Sequence, residues 1–201
     1  MAGLRNSLLT ALLLVLPGPA SAQPAAPQSA AILKEPAGWR FERLPTPPPF
    51  APAVKLSGFE EARFAPGMFD PTSDTYFTYA LVFVADGAPA LDRAALTDLL
   101  EKYFRGLSVG VGRQKGLNPD PAQMSADVAP AQSPDRYTAK VVYLDSFSDG
   151  RRIVLNVEAH SISPPGSGKT YLTVLISTQP KDAGIWRTLR EVESNLRFPQ
   201  P

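Results

Sequence analysis

The residues best placed to do chemistry lie in one stretch, Arg151 to His160, where Arg152, Glu158 and the chain's single histidine fall at even spacing. In an extended strand successive side chains point to opposite faces, so Arg152, Val154, Asn156, Glu158 and His160 share one face. Ile153, Leu155, Val157 and Ala159 share the other, which is plainly a core face. Glu158 and His160, two residues apart, could act as a carboxylate and a base across one pocket, with Arg152 as a cationic partner. Antiparallel sheets also leave one face half covered, and the polar set then simply meets solvent. The second, plainer interpretation is preferred, and Glu158, His160 and Arg152 stand as the catalytic candidates.

A second constellation, PPGSGKT at residues 164–170, imitates a phosphate-binding loop. That loop needs a glycine five places before the one that precedes its lysine, and Ser163 stands there. It must also open a helix whose free N–H groups hold the phosphates. Lys169 is followed instead by TYLTVLIST, a β-branched strand pattern. A turn between antiparallel strands is expected.

Other chemistries are narrowed by composition. With no cysteine and one histidine, thiolate chemistry and the usual zinc sites are not available, and no cofactor or metal is expected. Asp70, Asp74, Asn118 and Asp120 lack the spacing of a calcium loop. Asp145 to Gly150 reads as a hairpin turn. Gly166-Ser167-Gly168 is not a nucleophile elbow. The chain carries 20 Lys and Arg against 19 Asp and Glu. So even a balance provides no broad field for nucleic acid or an anionic membrane, and no nucleic-acid partner is expected.

The elements that must position these residues are legible in outline. Residues 1–22 have a basic start at Arg5, a short apolar run from Leu8 to Leu16 and a small-x-small end, Ala20-Ser21-Ala22. They predict a cleaved signal peptide, a periplasmic or secreted protein and no stable membrane insertion afterwards. Residues 23–36 are expected to be a disordered leader and residues 37–199 a single domain. Strands are predicted at Trp39–Leu44, on an edge because prolines follow, at Glu60–Ala65 and at Tyr76–Asp86, an interior strand apolar on both faces. A three-strand meander follows from Tyr137 to Gln179.

Helices are predicted over 91–107, capped by Asp92 and ended by Gly106, and over 184–196 with Trp186, Leu189 and Val192 in its apolar stripe. Residues 108–135, rich in Gly and Pro, are expected to be mostly a long loop, the kind of segment that often carries function. The fold expected is α+β, a mainly antiparallel sheet with two packed helices.

The stretch GFEEARFAPGMFDPTSDTYFTYALVFVADG and the following LDRAALTDLLEKYFRGL resemble a family of uncharacterised exported bacterial proteins. Arg63 to Phe69 carry the similarity most clearly, and it runs on through KVVYLDSF, RIVLNVEAH and IWRTLREVESNLRF. The resemblance implies export and transfers no catalytic residue. More remotely, strands closed by a final helix resemble the PsbP/Mog1-like α/β sandwich, which is a likeness of fold alone. A non-enzymatic exported domain that binds a ligand or an envelope protein is therefore expected, with a hydrolase-like enzyme on the polar face of strand 151–160 as the rival.

Overall fold

The computed structural model describes residues 30–34 and 36–198; the signal-peptide assignment lies outside them. The fold is α+β: a seven-stranded, wholly antiparallel sheet with one helix on each face. The strands are β1 (Arg40–Thr46), β2 (Gly58–Phe64), β3 (Tyr79–Asp86), β4 (Ser125–Pro130), β5 (Arg136–Leu144), β6 (Arg152–Ile162) and β7 (Lys169–Ser177), in spatial order β1-β2-β3-β7-β6-β5-β4. The helices are α1 (Arg93–Gln114) and α2 (Ile185–Ser194).

Two meanders meet at the centre of this sheet. The first, β1-β2-β3, leaves its edge and runs inward. Helix α1 then carries the chain to the opposite edge, and β4 to β7 return until β7 pairs with β3. At 1.5 Å per residue the 22 residues of α1 span about 33 Å, enough to cross the inter-strand spacings of about 4.8 Å between β3 and β4. Asp92 caps the helix by accepting from the Ala95 N–H at 2.9 Å.

The predicted stop at Gly106 is not where α1 ends. The helix runs on through Gly106, Gly110 and Gly112 to Gln114, because these glycines serve close packing rather than capping. A Cβ on Gly106 would sit 2.5 Å from the Phe50 carbonyl oxygen, and one on Gly112 2.9 Å from Pro119. The expected long loop over 108–135 consequently shrinks. Its first quarter is helix, a single 3-10 turn covers Pro121–Gln123, and β4 forms an edge strand.

Each face of the sheet has its own core. Under α1 lie Tyr79, Leu81 and Phe83 of β3, Leu155 and Val157 of β6, and Leu96, Leu100 and Phe104 of the helix itself. The other face, under α2, gathers Val82, Val84, Leu175, Trp186, Leu189 and Val192. Ile32 and Leu33, expected in a disordered leader, instead join this second core at 1% exposure. Their N–H groups both donate to the Glu61 carboxylate at 2.9 Å, which fixes them to β2. Burying two backbone donors without such a partner would cost about 1–3 kcal/mol each.

Loop 164–168 turns the chain between antiparallel strands β6 and β7, and no helix follows it. Lys169 pairs with Asp86 of β3 and points to no phosphate cradle.

Candidate functional site

Two places concentrate chemistry, one on each face of the sheet. On the α2 face the register sets Arg136 of β5 opposite His160 of β6, and Thr138 opposite Glu158. Helix α2 buries Trp186, Leu189 and Val192, which turns Arg190 and Glu193 toward β6. The result is a polar cleft of about 540 Å³ floored by Arg136, Glu158 and His160 and walled by Arg190, Glu193 and Phe198.

The bonds inside this cleft are nearly complete. His160 Nδ1 lies 2.6 Å from Glu193 Oε1, and Arg136 Nη1 lies 3.2 Å from the same carboxylate. Thr173 Oγ1 donates to the His160 carbonyl at 3.2 Å and sits 3.3 Å from Glu193. Arg190 grips Glu158 with two N–H donors, at 3.0 and 2.7 Å, and holds that carboxyl below its usual range.

Of the residues picked from sequence, Glu158 and His160 thus meet in one cleft, but Glu158 is committed to Arg190. The acid on the histidine is Glu193, from α2. Arg152 is not there: it pairs with Leu144 at the far end of β6, about 26 Å from His160 at about 3.3 Å per residue. A carboxylate on Nδ1 orients an imidazole as a general base requires. Ser194, the hydroxyl lining the cleft, donates instead to the Glu191 carbonyl at 2.9 Å, so any nucleophile there would be water.

The second place was not legible as a site in the sequence. On the α1 face, β1 and β2 run past α1 with small Ala62 between larger neighbours. A cavity of about 180 Å³ opens there beneath Tyr103, Leu107 and Val111, one residue per helical turn. Phe50 covers it, its ring edge-on to Tyr103 at 5.2 Å. Gly106 and Gly110 let the Phe50 segment come that close. Phe64, Phe69 and Phe147 form the remaining wall, with Phe69 5.2 Å from Phe147 and Phe64 5.4 Å from Tyr79.

Glu42, Tyr79 and Tyr103 line this aromatic chamber, and Glu60 lies behind Tyr103, outside the lining. Tyr103 donates to Glu60 Oε1 at 3.2 Å. Glu60 Oε2 and the Tyr79 hydroxyl are buried and have no hydrogen-bond partner. Loss of solvent pushes the Glu60 carboxyl up to about 8, with the Glu42 charge adding to the rise. Burial likewise drives the Tyr79 and Tyr103 phenols well above their ordinary value. At neutral pH Glu60 is therefore a neutral acid.

The sequence did hold one clue to this site. Two successive glutamates, Glu60 and Glu61, stand in a strand covered on both sides, so one carboxylate must enter each core.

No group of three or more metal-ligating side chains occurs among the described residues, and no described helix is long and apolar enough to cross a membrane. In comparisons with known proteins, no family model, curated protein or solved structure matches the chain.

Proposed function

We propose that the protein is an exported, periplasmic or secreted domain that binds a small, mainly apolar ligand, and that the aromatic cavity under α1 is its seat. The observation that carries this reading is the chamber itself, a cavity of about 180 Å³ walled by Phe50, Phe64, Phe69, Tyr103 and Phe147. A cavity of about 150 Å³ suffices for a benzene-sized guest, whereas drug-sized ligands need about 300 Å³ or more. The 180 Å³ here therefore suits a guest little larger than one ring. The Gly- and Pro-rich segment 108–135 no longer supports a binding role, since half of it is helix and strand.

The test is a thermal-shift titration of the mature chain with toluene and with 2-phenylethanol. Both should raise the melting temperature in a concentration-dependent way. Leu107→Trp, which fills the chamber, should abolish the shift. A flat response of the wild-type chain to both probes would sink the proposal.

A hydrolase-like activity in the polar cleft is the second reading, favoured by the His160–Glu193 contact of 2.6 Å. It requires that activated ester hydrolysis by the chain be lost in both His160→Gln and Glu193→Gln. Hydrolysis equal to the buffer rate in the wild type excludes it.

A further inference from the structure

We infer that the aromatic chamber seats the ring of a free aromatic amino acid, whose carboxylate meets Arg40 and whose ammonium meets Glu42 at the mouth. This rests on the chamber being a ligand seat and names the class of ligand it takes.

Two charged side chains belong to the lining itself, Arg40 and Glu42. Both stand on edge strand β1, two residues apart and therefore on one face. The register sets Arg40 opposite Phe64 and Glu42 opposite Ala62, whose side chains belong to the core under α1. At about 3.3 Å per residue the two positions are about 6.6 Å apart along the strand. Opposite charges at that spacing commonly pair. Here neither makes a hydrogen bond or an ion pair with any described residue.

Arg40 is held by aromatic faces instead. Its guanidinium lies 4.7 Å from the Phe64 ring centre and 5.2 Å from that of Phe69, two walls of the chamber. Stacking engages the flat face of a guanidinium and leaves its N–H edge unspent. Of the lining residues Arg40 and Phe69 are exposed, which marks the mouth. Glu42 lies one row further in and is half-buried. Its charge acts on Glu60 and on Tyr103 of α1, so its carboxylate is on the chamber side of the strand.

A ligand with one charge uses half of this pair and meets repulsion from the other half. A zwitterion satisfies both. The carboxylate of an α-amino acid accepts from the guanidinium fork, and its ammonium brings three donors to a carboxylate that has none. The two charges sit on one carbon, which fits partners one strand row apart. The chamber then sets the side chain. Its 180 Å³ admits a group little larger than one ring, a benzyl or hydroxybenzyl group, and its aromatic walls favour a ring over an aliphatic chain.

The test is calorimetric titration of the mature chain with L-phenylalanine, 3-phenylpropanoate and 2-phenylethylamine, with 2-phenylethanol as the uncharged probe. Phenylalanine should bind about tenfold more tightly than either single-charge analogue, the worth of one charge-assisted hydrogen bond at a partly exposed site. In Arg40→Gln, phenylalanine should bind no better than 2-phenylethylamine; in Glu42→Gln, no better than 3-phenylpropanoate. The wild-type comparison stands whether or not either variant folds. A single-charge analogue that binds the wild type as tightly as phenylalanine overturns the zwitterion and leaves the seat. An advantage for phenylalanine that persists in both variants overturns the assignment of Arg40 and Glu42. Uptake of 2-phenylethanol without phenylalanine overturns this inference alone, and binding of none of the four overturns the seat as well.

Discussion

Glu60 and Glu61 are neighbours in β2, and because a strand sends successive side chains to opposite faces they enter opposite cores. Glu61, fully buried, accepts from the Ile32 and Leu33 N–H groups and from the Arg43 guanidinium. Glu60, 3% exposed, receives one phenol hydrogen bond and keeps an oxygen unmet. The same contrast separates the two candidate sites. In the cleft under α2 each carboxylate is tied to a cationic or imidazole partner of the fold. Beside the cavity under α1, Glu60 is enclosed with no cation to meet it. Satisfied buried charges hold a structure together, whereas unsatisfied ones lower stability and are retained where something else completes them.

The sharpest break in this comparison is a pH titration of stability. Glu60 keeps its proton to about 8 when folded and loses it near 4.5 when unfolded. Its contribution is thus full below 4.5 and is lost as pH rises toward 8, on the order of 1 kcal/mol per pH unit. Urea unfolding of the wild type between pH 5 and 8 should show that fall. Glu60→Met should flatten it and be more stable at pH 8 by about 2 kcal/mol. A wild type with no such fall would place Glu60 in water rather than in the core.

Next in size is Gly106→Ala. The added Cβ meets the Phe50 carbonyl oxygen at 2.5 Å and should cost about 2 kcal/mol in urea unfolding. It should also lift Phe50 off the chamber and weaken uptake of 2-phenylethanol, whereas a Glu193 variant should leave that uptake unchanged.

Glu193→Ala takes away the partner shared by His160 and Arg136, and should destabilise by about 1.5 kcal/mol, read from the denaturation midpoint. The smallest effect belongs to the outer ion pair. Arg190→Ala should cost about 0.5 kcal/mol, a loss that shrinks in high salt. Glu158 has the opposite pH sign from Glu60. Arg190 lowers its folded-state pKa, so its contribution is present above 4.5 and is lost as pH falls through the lowered value. Arg152→Ala, outside both sites, should change stability by less than about 0.5 kcal/mol.

Much of the fold was legible because it is written in local chemistry. Alternation in RIVLNVEAH separates its two faces, and the run YALVFVA is apolar on both, so β6 and β3 follow from side-chain period alone. Glycine misled at Gly106, because a helix end and a close helix–segment contact both call for a missing side chain. The cleft was legible in half. Glu158 and His160 share a strand face, but their partners Arg190 and Glu193 arrive from α2, and no local pattern marks that encounter.

The sequence by itself determined the antiparallel α+β fold, the core face of each strand, the absence of thiolate chemistry and the turn that imitates a phosphate loop. Only the tertiary structure decided which polar residues meet and which are left wanting. Period and propensity act over a few residues, whereas the environment of Glu60 is assembled from β1, β3 and α1, elements more than 60 residues apart from first to last. The two glutamates of β2 are identical in sequence terms, and it is what packs above each face that makes one an anchor and leaves the other a buried neutral acid.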